Sequence, residues 1–73
     1  MSKSTIDLIR IAAAGGGMYV SANKSTDDLI KIAAAASSKG VRIFVTNASR
    51  KSTDNLIRIA AAGKGSVMFD LSS

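Results

Sequence analysis

The apolar and polar positions of this chain follow one pattern that recurs three times. In the first copy, residues 3–14 (KSTIDLIRIAAA), Leu8, Ile9, Ile11, Ala12 and Ala13 sweep an apolar arc of roughly 200° at about 100° per residue, and Asp7, Arg10 and Ala14 occupy the rest of the wheel. That is helical periodicity, and the arc is wider than a single sheet can cover. A helix with such an arc also touches neighbours on its flanks, and its alanines let those neighbours approach closely. After each helical segment comes a short run that alternates with period two. These runs are residues 18–22 (MYVSA), 42–47 (RIFVTN) and 67–71 (VMFDL), rich in β-branched and aromatic residues and bounded by glycine or polar turns. They read as strands. Alternation assigns Met18, Val20, Ala22, Ile43, Val45, Val67, Phe69 and Leu71 to one face, and Tyr19, Ser21, Arg42, Phe44, Thr46, Met68 and Asp70 to the other.

The second and third copies, residues 24–35 (KSTDDLIKIAAA) and 51–62 (KSTDNLIRIAAA), follow the first after 21 and 27 residues. Arg10, Lys31 and Arg58 exchange within one charge class, while Ile6, Asp27 and Asp54 share one variable position. Repetition of this fidelity is the strongest signal in the chain. Each copy also opens as a helix should. Ser4, Ser25 and Ser52 stand three residues before Asp7, Asp28 and Asn55, the spacing of a capping box in which the serine oxygen accepts from an unpaired backbone N–H. Carboxylates there face the positive end of the helix dipole. Glycine-containing stops are expected at residues 15–17, 37–40 and 63–65.

The order is therefore α-β-α-β-α-β. Strands joined through a helix pair in parallel, and right-handed crossovers in sequence put every helix on one side. The expected fold is α/β: a three-repeat, solenoid-like unit with a parallel three-stranded sheet in order 1-2-3 and three helices on one face. It forms a single domain, 1–73, divided into repeats 3–23, 24–50 and 51–73. In outline it resembles a leucine-rich horseshoe. It lacks that family's L-x-x-L-x-L and asparagine-ladder pattern, so the likeness is one of architecture.

Such an array leaves surface open. Parallel sheets are rarely bare on one face, yet here Tyr19, Phe44 and Met68 align across the strands as an apolar row, with Arg42, Thr46 and Asp70 beside them. Strands 1 and 3 and the flanks of helices 1 and 3 form open edges without polar capping repeats. Asp70 is expected to act as a mild blocker on strand 3, and the Gly15–Gly17 run to loosen the approach to strand 1. The expected partner is another copy of the chain, a dimer being favoured, through face-to-face packing, edge pairing, swapping or open stacking. A stretch of a longer array fits the same pattern.

Composition narrows the chemistry. The 73 residues include no Cys, His, Pro or Trp; ten are Lys or Arg and five are Asp, for a net charge of +5. Disulfides, thiolate metal sites and cysteine nucleophiles are excluded, and the commonest general base is missing. The polar cluster on the open face, Asp70 with Tyr19, Ser21 and Thr46, has no base partner and no electrophile beyond Arg42. No catalytic, cofactor-binding or metal-binding residue is expected, and the chain reads as non-enzymatic. Met18 and Met68 read as packing residues.

The alternative is a small basic module. Lys3, Lys24, Arg50 and Lys51 lie at the helix starts and form a candidate anion rim, suited to nucleic acid or an acidic protein. The Lys-Ser-Thr motif lacks the glycines of a phosphate-binding P-loop, and the aspartates compete for the same N–H groups. Nucleic acid is the weaker partner, since the cations are scattered and no RNA-binding or helix-turn-helix signature is present. The uncharged, largely apolar segment at residues 11–22 is too short to span a bilayer and contains three glycines. It is also a poor leader, because Asp7 occupies the n-region and the same segment type recurs inside the chain. A cytoplasmic protein is expected.

Overall fold

A computed structural model describes residues 3–72. The elements run α1 (Thr5–Ala13), β1 (Met18–Ser21), α2 (Thr26–Lys39), β2 (Ile43–Thr46), a 3-10 turn (Ala48–Arg50), α3 (Thr53–Gly63) and β3 (Val67–Phe69). The sheet is parallel in order β1-β2-β3, as the alternation of helix and strand predicts. Its register aligns Tyr19, Phe44 and Met68 across the three strands, and likewise Met18, Ile43 and Val67.

All three helices begin at the predicted serines. Ser4, Ser25 and Ser52 sit in extended backbone and their hydroxyls accept from the N–H groups of Asp7, Asp28 and Asn55 at 3.1–3.2 Å. Each bond satisfies one of the four orphan donors of a helix start. The helices end just before or within the expected stops. α2 continues through Ser37 and Ser38 to Lys39, where the Ser38 hydroxyl donates to the Ala35 carbonyl and Gly40 closes the helix at φ 69°. α3 includes Gly63 and stops at Lys64, a left-handed residue at φ 48°.

The strands are shorter than predicted. Residues 22 and 23 already turn, Arg42 precedes β2, Asn47 adopts φ 57°, and the chain leaves regular geometry after Phe69. Pairing nonetheless runs past the strand ends: Ala22 N–H donates to the Thr46 carbonyl and Asp70 N–H to the Val45 carbonyl, both at 2.9 Å. Leu71, assigned by alternation to the core face, is exposed because the strand no longer holds it there.

The core lies between the helices and one face of the sheet. Leu29, Ile32, Ile43, Val45 and Ile59 are its largest fully buried side chains, with Val20, Ala12, Ala33 and Ala36 around them. Burial of each branched aliphatic is worth about 1.5–3 kcal/mol. α2 packs between α1 and α3. A Cβ added at Gly63 would strike the Val67 side chain and lie 3.4 Å from Ala33 Cβ. Glycine there lets α3 close onto both α2 and β3. The predicted helical arc is only partly used in α1, where Ala12 is buried but Ile11 is exposed. That flank of α1 has no neighbouring helix to cover it.

Candidate functional site

The outward face of the sheet brings together Tyr19, Phe44, Met68 and Arg42. Strand alternation places the first three on one row, and the parallel register sets them side by side. The Tyr19 and Phe44 rings meet edge to face, centroids 4.9 Å apart and planes at 84°, a favoured geometry for paired aromatics. Arg42 Nη1 reaches the Met68 sulfur at 3.6 Å, so the guanidinium lies along the row. These four residues, with Gly17, Met18 and Ile43, line a shallow depression of about 350 Å³. Tyr19 is 76% exposed and Met68 48%.

Thr46 and Asp70 both have hydrogen-bond partners within the chain. The Thr46 hydroxyl donates to the Val20 carbonyl at 3.3 Å and is thus spent inside the sheet. Asp70 lies past the end of β3 and accepts at Oδ1 from both the hydroxyl and the backbone N–H of Ser72. Those two bonds favour the ionised carboxylate and hold it below its ordinary range.

Two lysines of the predicted anion rim take part in contacts between repeats. Lys24 Nζ donates to Thr5 Oγ1 and Lys51 Nζ to Thr26 Oγ1, each at 3.3 Å. In both cases the lysine that opens one repeat binds the threonine of the repeat before it. Thr5 Oγ1 in turn donates to Asp28 Oδ2 at 3.1 Å. Lys3 lines two surface hollows at the outer edge of the first repeat, one with Asp7, Arg10, Ile11 and Ala14, the other with Leu8, Tyr19, Ser21 and Lys24 among its walls. Arg50 projects from the 3-10 turn and is exposed.

The contacts between helices identify a second set of residues that composition and motif alone did not single out. Arg58 on α3 approaches Asp27 on α2 at 3.9 Å, so Arg58 marks the flank of α3 that faces α2 and Asp27 the flank of α2 that faces α3. Ala33 belongs to that same α3-facing flank, as its distance from the Gly63 position requires. By repeat equivalence, Arg10 and Ile11 stand on the free flank of α1, and Asp54 and Ala60 stand on the free flank of α3. Ile11 is 40% exposed, and Ile57, near Asp54 on α3, is 59% exposed. The signal lay in the sequence as aligned copies. It becomes legible only once one inter-repeat contact fixes which positions face which neighbour.

Among the described residues, no helix is long and apolar enough to cross a membrane. Comparison with protein families, with curated proteins and with solved structures finds no match to this chain.

Proposed function

We propose that this chain is a non-enzymatic, solenoid-like α/β repeat protein whose role is structural, built on association with further copies of itself. The observation that carries the reading is the apolar surface on the sheet and at its two ends. Tyr19 and Met68 on the open face, Ile11 at one end and Ile57 at the other are all large and exposed on a chain of only 73 residues. A chain this short buries only about 60% of its unfolded surface, so covering these side chains on association yields much of the apolar burial the fold lacks. The cytoplasmic setting expected from the sequence belongs to the same reading.

Sedimentation velocity and equilibrium between 1 and 200 µM test it. The expected result is a weight-average mass that rises with concentration above the 7.5 kDa of one chain. A folded species that stays at 7.5 kDa across the range overturns it.

The convergence of Lys3 and Lys24 on one hollow, together with the +5 charge, supports the second reading, a basic module for nucleic acid or an acidic protein. Because Lys24 and Lys51 also tie repeats together, and Lys3 is the equivalent lysine of the first repeat, charge reversal at Arg50 is the cleaner test. It should remove binding to polyanions if the rim is a site, and leave self-association in place.

A further inference from the structure

The contacts Arg58–Asp27 and Lys51–Thr26 and the approach of Gly63 to Ala33 use positions whose equivalents, Arg10, Lys3 and Gly15 in the first repeat and Asp54, Thr53 and Ala60 in the third, are exposed. The two ends of the molecule are therefore halves of an interface the molecule already contains. We infer that the partner of each end is the opposite end of a second copy. The third repeat of one chain receives the first repeat of the next, with α3 against α1 and β3 against β1, continuing the internal stacking by one more step. This rests on the self-association reading and specifies its geometry.

Three polar contacts define the register by analogy with those inside the chain. Arg58 pairs with Asp27; the equivalent pair across copies is Arg10 with Asp54. Lys24 and Lys51 each donate to the threonine one repeat back; the next in that series is Lys3 donating to Thr53. Thr5 donates to Asp28; the equivalent is Thr53 donating to Asp7. The charges are complementary as they stand. The free flank of α1 carries Lys3 and Arg10, and the free flank of α3 carries Asp54. The apolar part matches as well, because Ile11 lines an open hollow with Ala14, while Ile57 and Ala60 are exposed on α3.

The sheet continues in the same step. Since Tyr19 pairs with Phe44 and Phe44 with Met68, Met68 would pair with Tyr19 of the next copy. An end-to-end contact of this kind is heterologous and need not stop at two chains. It also bends. Helices pack 8–10 Å apart while strands repeat at about 4.8 Å, so a one-sided stack curves with the sheet on the inside. The Tyr19–Phe44–Met68 row then lines a concave surface, where Met68 of one copy and Tyr19 of the next cover each other at the junction.

The chain has no cysteine, which makes covalent trapping clean. Tyr19→Cys and Met68→Cys are introduced together and singly, oxidised, and run on non-reducing gels. Within one chain β2 separates the two positions by two strand spacings, beyond the roughly 7 Å limit for a disulfide. The expected result is a ladder of covalent multimers from the double variant and essentially monomer from either single variant. Two-fold face-to-face packing sets the sheets about 10 Å apart, beyond that limit, and predicts no ladder. In parallel, Arg10→Asp and Asp54→Arg are each expected to weaken association about 5-fold or more, and an equimolar mixture of the two is expected to restore it. Circular dichroism confirms that each variant is folded. If the wild-type chain associates but the ladder and the rescue both fail, the end-to-end geometry is overturned and self-association stands. If the wild-type chain is monomeric throughout, both fall.

Discussion

Ile11, Ile32 and Ile59 occupy the same position in three copies of one sequence, yet their surroundings differ. Ile32 and Ile59 are fully buried, and Ile11 stands on an uncovered flank. Position 33 shows the mirror image. Ala12 and Ala33 are buried, while Ala60 is exposed. The second repeat has a neighbour on both sides, the first lacks one on the Ile11 side, and the third lacks one on the Ala60 side. At these two positions burial follows the number of neighbouring helices and not the residue type. In repeat arrays, stability comes from interfaces between units as well as from the units themselves. The second repeat shares in two such interfaces and each outer repeat in one.

The sharpest way to break that comparison is to make the same truncation in two copies. Ile32→Ala removes a fully buried side chain between helices and should cost about 2–5 kcal/mol. Ile11→Ala, at low concentration, should cost about 1 kcal/mol or less, because much of that side chain is already in water. Urea unfolding of both variants measures the difference. Equal costs at the two positions would mean that the repeats contribute independently of their place in the stack.

A smaller effect is expected at the junction of α2, α3 and β3. Gly63→Ala gains helix propensity, less than the roughly 1 kcal/mol of an interior position because Gly63 is the last residue of α3. Against that, the new methyl collides with Val67 and presses on Ala33, and overpacking of a closed core costs typically 1–3 kcal/mol. The net change should be a loss of about 1 kcal/mol. Position 36, the equivalent in α2, already carries a buried alanine, so the intolerance belongs to the third repeat. Val67→Ala in the Gly63→Ala background should recover part of the loss. A non-zero coupling in that double-mutant cycle checks the contact, and simple additivity would remove it.

Much of the architecture was legible because local signals agree. Serine caps, alanine-rich helical arcs and period-two strands each specify the same α-β alternation, and that alternation dictates a parallel sheet in chain order. The ends of elements were less legible. Ser37 and Ser38 resemble a stop, yet the helix continues until Gly40 supplies a left-handed residue. Asp70 and Leu71 extend the strand pattern, yet β3 ends at Phe69 and the Asp70 carboxylate turns to Ser72. The aromatic row of the sheet face followed directly from alternation. The open flanks of α1 and α3 followed from the order of the elements, but the residues on them did not, because a helical wheel gives the width of an apolar arc without saying which edge of it has a neighbour. Lys24 and Lys51 illustrate the same gap. Their recurrence before each helix suggests an anion rim, whereas their amines bridge to Thr5 and Thr26 of the preceding repeats.

The smallest expected effect concerns the one place where the first repeat departs from the other two. Asp27 in the second repeat meets Arg58 of the third. The corresponding residues one step earlier are Ile6 and Lys31, so the first interface has the cation without the carboxylate, and Ile6 is largely exposed. Ile6→Asp should supply the missing partner. It also places a negative charge in the first turn of α1, worth about 0.3–1 kcal/mol against the helix dipole. An exposed ion pair adds between about 0 and 1 kcal/mol. The expected sum is a gain near 1 kcal/mol. Lys31→Met separates the two contributions, since the dipole part should survive in that background and the pairing part should vanish. Thermal unfolding at low and at 1 M salt gives a second separation, with the gain shrinking as the ionic strength rises. A variant no more stable than the parent at low salt would show that the Arg58–Asp27 geometry does not recur at the first interface, and would remove one of the three contacts that set the register between copies.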